Sequence, residues 1–190
     1  MTTQVSDAMR VTTSLDATKL TGNLPAISGA SLTGVVGKIV QYVYNVDSAW
    51  AVSSDTNGID NNDTIPQVAT DGDLFMSQAI TPVSTSNILV VEGILFFSPA
   101  SAGRLMTAYV TQDSGTEALS CQLNSGHDTA NAAIQIYIKH TQVAGTESST
   151  TFKIYGGSNF SGVTTFNGFA GASQYGGTIA STMSITEVQV

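Results

Sequence analysis

Charge is scarce in this sequence: Asp, Glu, Lys and Arg make up 11% of its 190 residues, and six of them are basic. Those six, Arg10, Lys19, Lys38, Arg104, Lys139 and Lys153, are scattered, and the formal net charge is −8. A phosphate backbone is bound through a clustered basic stripe, so no nucleic acid is expected as a partner. Cysteine is nearly absent too. Cys121 stands alone, which excludes an intrachain disulfide, and with no basic neighbour to draw out a thiolate it is expected to be a small buried hydrophobe on a strand. No apolar run approaches the roughly 20 residues of a membrane span, so no membrane insertion is expected. Residues 1–10 lack the basic head and apolar block of a signal peptide. Synthesis in the cytoplasm, with release inside an assembled particle on lysis, is the expectation that follows.

Helical signals are missing as well. No window carries Ala, Leu, Glu and Lys in a periodic stripe with caps at both ends. Ser, Thr, Asn, Gln and Gly fill most polar positions, β-branched residues recur throughout, and 42% of the chain is hydrophobic, enough for one substantial core. The reading is all-β: a jelly-roll sandwich over residues 38–190, preceded by an extended, largely irregular N-terminal shaft segment over residues 1–37. Eight strands are predicted at 38–46, 74–80, 87–97, 104–111, 117–123, 132–140, 150–155 and 179–190, separated by Gly, Ser, Asn and Asp clusters. In the third, both faces are apolar apart from Glu92, so the face turned from the core needs a cover. A partner subunit is the simplest one, and a homotrimer is expected, with Glu92 paired or solvated at the interface. Within 1–37, Leu20-Thr21-Gly22 recurs as Leu32-Thr33-Gly34, and three parallel copies of the segment could bury its leucines against one another.

The string LDATKLTGNLPAISGASLTGV (residues 15–35) resembles a segment that recurs in tailed-bacteriophage fibre and virion-appendage proteins just before a C-terminal β domain. The body is similar to those domains at residues 77–90, 148–154 and 184–188. The resemblance implies a trimeric jelly roll like the tumour-necrosis-factor fold, joined to other virion proteins through its N-terminal segment and serving attachment to a host cell-surface glycan or protein. Residues 47–72 and 156–177 match no part of that pattern. An alternative stays open, a trimerisation or decoration domain without specific receptor binding.

Residue chemistry gives little sign of catalysis. His127-Asp128 is a His-Asp neighbour pair with no nucleophile elbow to serve, and the scattered acids define no cleft pair, so the chain is expected not to be an enzyme and to carry no cofactor. Asp55, Asp60, Asp63, Asp71 and Asp73 crowd one stretch without the ordered spacing of a calcium loop, which reads as a solvated acidic loop. His140 could meet symmetry mates on a threefold axis, but it lacks a second ligand, and no metal is assigned. Strand parity puts the loops at 47–73, 98–103, 124–131 and 156–178 at the tip distal to the shaft, and those at 81–86, 112–116 and 141–149 beside it; an extra full strand at 163–166 would reverse the last one and leave the C-terminus at the tip. The 156–178 stretch mixes aromatics with small polar residues, as recognition loops do. Trp50, Asn159, Phe160, Asn167 and Tyr175 are accordingly the candidate binding residues.

Overall fold

The computed structural model describes residues 37–53, 58–125 and 128–190. The expectations for residues 1–36, and those for Asp55 and His127, lie outside the described residues. Among the described residues twelve strands form: β1 (Ile39–Asp47), β2 (Ala51–Val52), β3 (Asp73–Ile80), β4 (Ile88–Pro99), β5 (Met106–Gln112), β6 (Ser120–Asn124), β7 (Ile134–Val143), β8 (Thr150–Ser158), β9 (Thr164–Phe166), β10 (Gly168–Phe169), β11 (Ala172–Ser173) and β12 (Ser181–Val188). The eight long ones match the eight predicted; β9 falls on the extra strand considered at 163–166 but leaves the direction of the last strand unchanged, and the short β2, β10 and β11 were not legible. Among the described residues the helical content is a 3-10 turn at Tyr175–Gly177.

The long strands pair as nested hairpins. β5 pairs β6, β4 pairs β7, β3 pairs β8 and β1 pairs β12, all antiparallel. Successive pairs alternate between two sheets, giving the orders β1-β12-β4-β7 and β3-β8-β5-β6. That winding of one long ribbon over two layers is the jelly roll, as expected. β9 pairs β4 beyond the end of β12, and β2 pairs β9. Because β9 and β12 both run antiparallel to β4, they are one strand interrupted by residues 167–180, just as β1 and β2 are one strand interrupted at 48–50.

Alternation along the strands sets the core. Leu89, Val91, Leu95 and Phe97 of β4 point inward, where they meet Met106, Ala108 and Val110 of β5 and Phe152 and Ile154 of β8. The rings of Phe75, Phe97 and Phe166 pack with centroids 4.7–5.7 Å apart. Each such side chain, fully buried, contributes roughly 1.5–3 kcal/mol. At Gly156 a Cβ would sit 2.6 Å from Phe97 Cζ, so the strand carries glycine where the ring needs the room. Gly156 and Gly157, expected to open a loop, therefore belong to β8.

Every long strand reverses its predecessor, so the parity argument holds for direction. The chain enters beside its exit, with Gly37 N–H donating to Gln189 O at 2.9 Å. At this near end lie the loops 81–87 and 144–149, joined by Ala144 N to Asn87 O at 2.8 Å. The buried Glu187 carboxylate holds the first of them: Oε1 accepts from Val83 N (2.8 Å), Ser84 N (3.3 Å) and Asn87 Nδ2 (2.6 Å). The Gln41 amide, oriented to donate, reaches Oε2 at 3.1 Å. Loops 100–105 and 159–163 meet at the far end, where Asn159 N donates to Leu105 O at 3.0 Å.

Candidate functional site

Residues 58–72 depart from their expected place at the tip. They leave the far end, where Ile59 N donates to Ser158 O at 2.8 Å, and run back across the outer face of the β3-β8-β5-β6 sheet. There Gln67 bridges Glu117, Val68 N donates to Thr116 O at 2.8 Å and Ala118 N to Pro66 O at 3.0 Å. Parity had put 112–116 at the opposite end from this loop. The physical reason is a second apolar cluster: Tyr109 and Tyr155 stack on that outer face with centroids 5.3 Å apart, and Ile59, Val68 and Ala118 close over them. The Tyr109 hydroxyl donates to Asp71 O, which fixes the returning arm.

Between this covering loop and residues 159–161 lies a cleft of about 810 Å³. Its lining includes the carboxylates of Asp60, Asp71 and Glu117 together with Asn159, Phe160 and Ser161. Both walls are pinned. On one, Asp71 Oδ2 accepts from Gln67 N at 2.6 Å; on the other, Asn159 Oδ1 accepts from Leu105 N at 3.0 Å and Ser158 Oγ donates to Phe160 O at 2.6 Å. Gly58 brings the walls together, since a Cβ there would lie 2.4 Å from Phe160 N. Phe160 is 58% exposed, and the Arg104 guanidinium stands 4.8 Å from its ring centroid.

Of the five residues proposed from sequence, Asn159 and Phe160 meet in this cleft. Trp50 (47% exposed) and Tyr175 (75% exposed) do not line it. Tyr175 sits at φ 49°, with its ring edge-on to Phe169 at 6.4 Å, and Phe169 leans on Phe96 of β4 at 5.5 Å. Asn167 requires a correction: it is wholly buried, so its side chain offers nothing to a ligand. Its Nδ2 donates to Asp47 O (2.7 Å) and Ala49 O (3.1 Å), and Oδ1 accepts from Ser181 Oγ at 2.7 Å. Asn167 thus ties together both interrupted strands where they break.

The acids in the cleft wall, Asp60 and Asp71, were visible as part of a crowded stretch. Glu117 was missed because its approach to Gln67 is long-range. Cys121 lies on β6 as expected but is exposed, because β6 is the edge of its sheet; desolvation still pushes its thiol up from the ordinary value. His140 falls on the inward side of β7, half-buried, with Nε2 2.9 Å from Gln142 Oε1. From there a chain of hydrogen bonds crosses the sandwich through Gln112 and Thr150 to Asp113. That inward position gives His140 no outer face on which symmetry mates could meet.

The other layer leaves its outer face open. Tyr42, Tyr44 and Val46 of β1, Ile94 of β4 and Tyr137 of β7 are exposed there, with Val90 half-buried among them. In its middle, Glu92 accepts from the Tyr137 hydroxyl and pairs with Lys139 at 3.4 Å. The Tyr137 hydrogen bond, ahead of Lys139, holds the Glu92 carboxyl below its usual pKa against the opposing effect of desolvation.

No protein-family model matches the chain, and no curated protein matches it. Among solved structures it is similar to VP2 of the infectious bursal disease virus subviral particle, with a TM-score of 0.36 at 14% identity over 88% of this chain and 42% of that one. The Gt strain of the same virus gives a TM-score of 0.37 at 12% identity, over 88% of this chain and 42% of that one. The chain therefore spans less than half the length of these viral chains. The CBM22-1 xylan-binding domain of Paenibacillus barcinonensis Xyn10C is similar with a TM-score of 0.29 at 13% identity, over 82% of this chain and 97% of that one.

Proposed function

We propose that the chain is a non-enzymatic structural protein of a phage virion, a fibre-tip or appendage domain that works as a homotrimer and attaches the particle to a receptor on the host cell surface. The observation that carries this reading is the open outer face of the β1-β12-β4-β7 sheet. Tyr42, Tyr44, Val46, Ile94 and Tyr137 expose an aromatic and aliphatic field on one flat layer, and such fields in stable proteins mark association surfaces. Its central charge, Glu92, is already neutralised by Lys139 of the same chain, so copies can meet there without burying an unpaired ion. Residues 15–35, with their resemblance to phage-fibre segments, supply the link to other virion proteins.

Attachment draws support from the polarity of the domain. Chain entrance and exit lie side by side at the near end, while Phe160 and the 100–105 and 159–163 loops lie at the other. Light scattering on the full chain should give about three times the 19.7 kDa chain mass, and labelled trimer should bind host cells. A stable monomer at micromolar concentration would refute the assembly. Trimer that never binds cells would refute attachment and leave the decoration-domain reading standing.

A further inference from the structure

The cleft beside Phe160 lies on the β3-β8-β5-β6 layer, and the field assigned to self-association lies on the other layer. Assembly through that field leaves the cleft open. We infer that the cleft is a binding site for a neutral saccharide. This inference rests on the attachment reading and names the receptor chemistry for it.

Size, charge and shape each argue for that ligand. About 810 Å³ falls inside the range of small-ligand sites, about 300–1,000 Å³. Asp60, Asp71 and Glu117 put three carboxylates on the lining, and no Lys, Arg or His stands among the lining residues. A sialylated, sulfated or phosphorylated ligand would meet three like charges on the lining against the single Arg104 guanidinium on the Phe160 ring, a net discrimination against anions. Ionised carboxylates accept and do not donate, which suits the hydroxyl donors of a sugar ring, and Asp71 Oδ2 is already engaged by Gln67 N. The Asn159 amide and the Ser161 hydroxyl stand beside them. Phe160 adds ring surface for the apolar face of a pyranose. A basic peptide would fit the charge less well than it first suggests, because Arg104 already occupies the cation–π position on Phe160.

The walls are also preformed. The Gln67–Glu117 bridge, the Asp71 hydrogen bond to Gln67 N and the Asn159 bond to Leu105 N hold them without a ligand, so little ordering cost falls on binding.

The test is an array carrying neutral, sialylated and sulfated oligosaccharides, probed with labelled full-length protein, with an oligolysine peptide titrated in parallel by fluorescence anisotropy. Neutral members should bind, while acidic members and oligolysine should not. Phe160→Ala and Glu117→Gln should each weaken the neutral binding by about tenfold or more at unchanged trimer mass, and Val83→Ser, exposed in the 81–87 loop at the near end, should leave it intact. Both substituted residues are exposed, so the variants keep the fold. If cells are bound but no neutral saccharide is, or if binding survives both cleft substitutions, the inference fails and attachment stands. Binding of acidic glycans or of oligolysine in place of neutral ones also overturns it. If neither cells nor saccharides are bound, the attachment reading falls first and takes the inference with it.

Discussion

Asn167 offers the sharpest test of how the two interrupted strands are held. Replacing it with Ala removes the hydrogen bonds to Asp47 O, Ala49 O and Ser181 Oγ inside a site closed to water. Net contributions of about 1 kcal/mol each sum to about 3 kcal/mol. The backbone adds to this. Asn167 sits at φ 54°, a left-handed conformation that Asn tolerates and that costs Ala about 1 kcal/mol more than Gly. Asn167→Ala should therefore lose about 4 kcal/mol and Asn167→Gly about 3 kcal/mol, an ordering opposite to what a strand or helix interior would show. Urea unfolding followed by circular dichroism, at one fixed chain concentration so that the proposed association is held constant, measures both. For a domain of this size the Ala variant should melt about 10 °C below the parent. A loss under about 1 kcal/mol, or Ala at least as stable as Gly, would refute the reasoning. Undiminished stability with lost cell attachment would return Asn167 to the binding residues from which its burial removed it.

Two further outcomes follow from buried and paired carboxylates. Glu187→Ala orphans Asn87 Nδ2 in a buried site and frees Val83 N and Ser84 N, so it should cost about 2–4 kcal/mol and speed amide exchange at 83 and 84, while unchanged exchange there would show that another group holds the turn. Glu92 has its folded pKa depressed below 4.5, so its ionisation adds stability above the unfolded value, and that contribution is lost as pH falls through the folded one. The parent's advantage over Glu92→Gln in chemical denaturation should be small, because the pair is partly exposed, and should shrink as pH is lowered from 6 through the acidic range; an advantage that grows on acidification would contradict the pairing.

Much of the layer structure was legible because its signals are local. Alternation in 132–140 separates Ile134, Ile136 and Ile138 from Gln135, Tyr137 and Lys139, and the structure buries the first set and exposes the second. The interrupted strands were not legible. β2 has two residues and β9 three, too few to show that each continues a longer strand, and what joins them to their continuations is the Asn167 side chain, whose partners lie 14, 118 and 120 residues away in sequence. A sequence window sees Asn167 as a polar loop residue between aromatics. Nothing within the window reveals that this side chain is buried between the two strand breaks. Cys121 shows the complementary failure: a small apolar residue on a strand reads as buried unless the strand is known to be an edge.

The cleft was only half legible, and the reason bears on the proposed assembly. Among the described residues, β4 and β5 carry one charge between them, Glu92, and the outward face of each calls for a cover. On β5 the outward residues are Thr107, Tyr109 and Thr111, and the chain supplies the cover itself, by folding residues 58–72 across Tyr109 and Tyr155. The same fold-back carries Asp60 and Asp71 into position opposite Phe160, so the cleft is a consequence of covering that face. On β4 the outward residues are Ile88, Val90, Glu92, Ile94 and Phe96, and among the described residues only the Phe169 ring leans over the far end of the row. Ile94, in its middle, stays 42% exposed. A two-sided apolar pattern thus says that a cover is required without saying whose. Where the chain's own long loop was free to fold back it did so, on the layer that displays the stacked tyrosines. The remaining field, with its charge neutralised in place by Lys139, is the surface that the proposed trimer would cover.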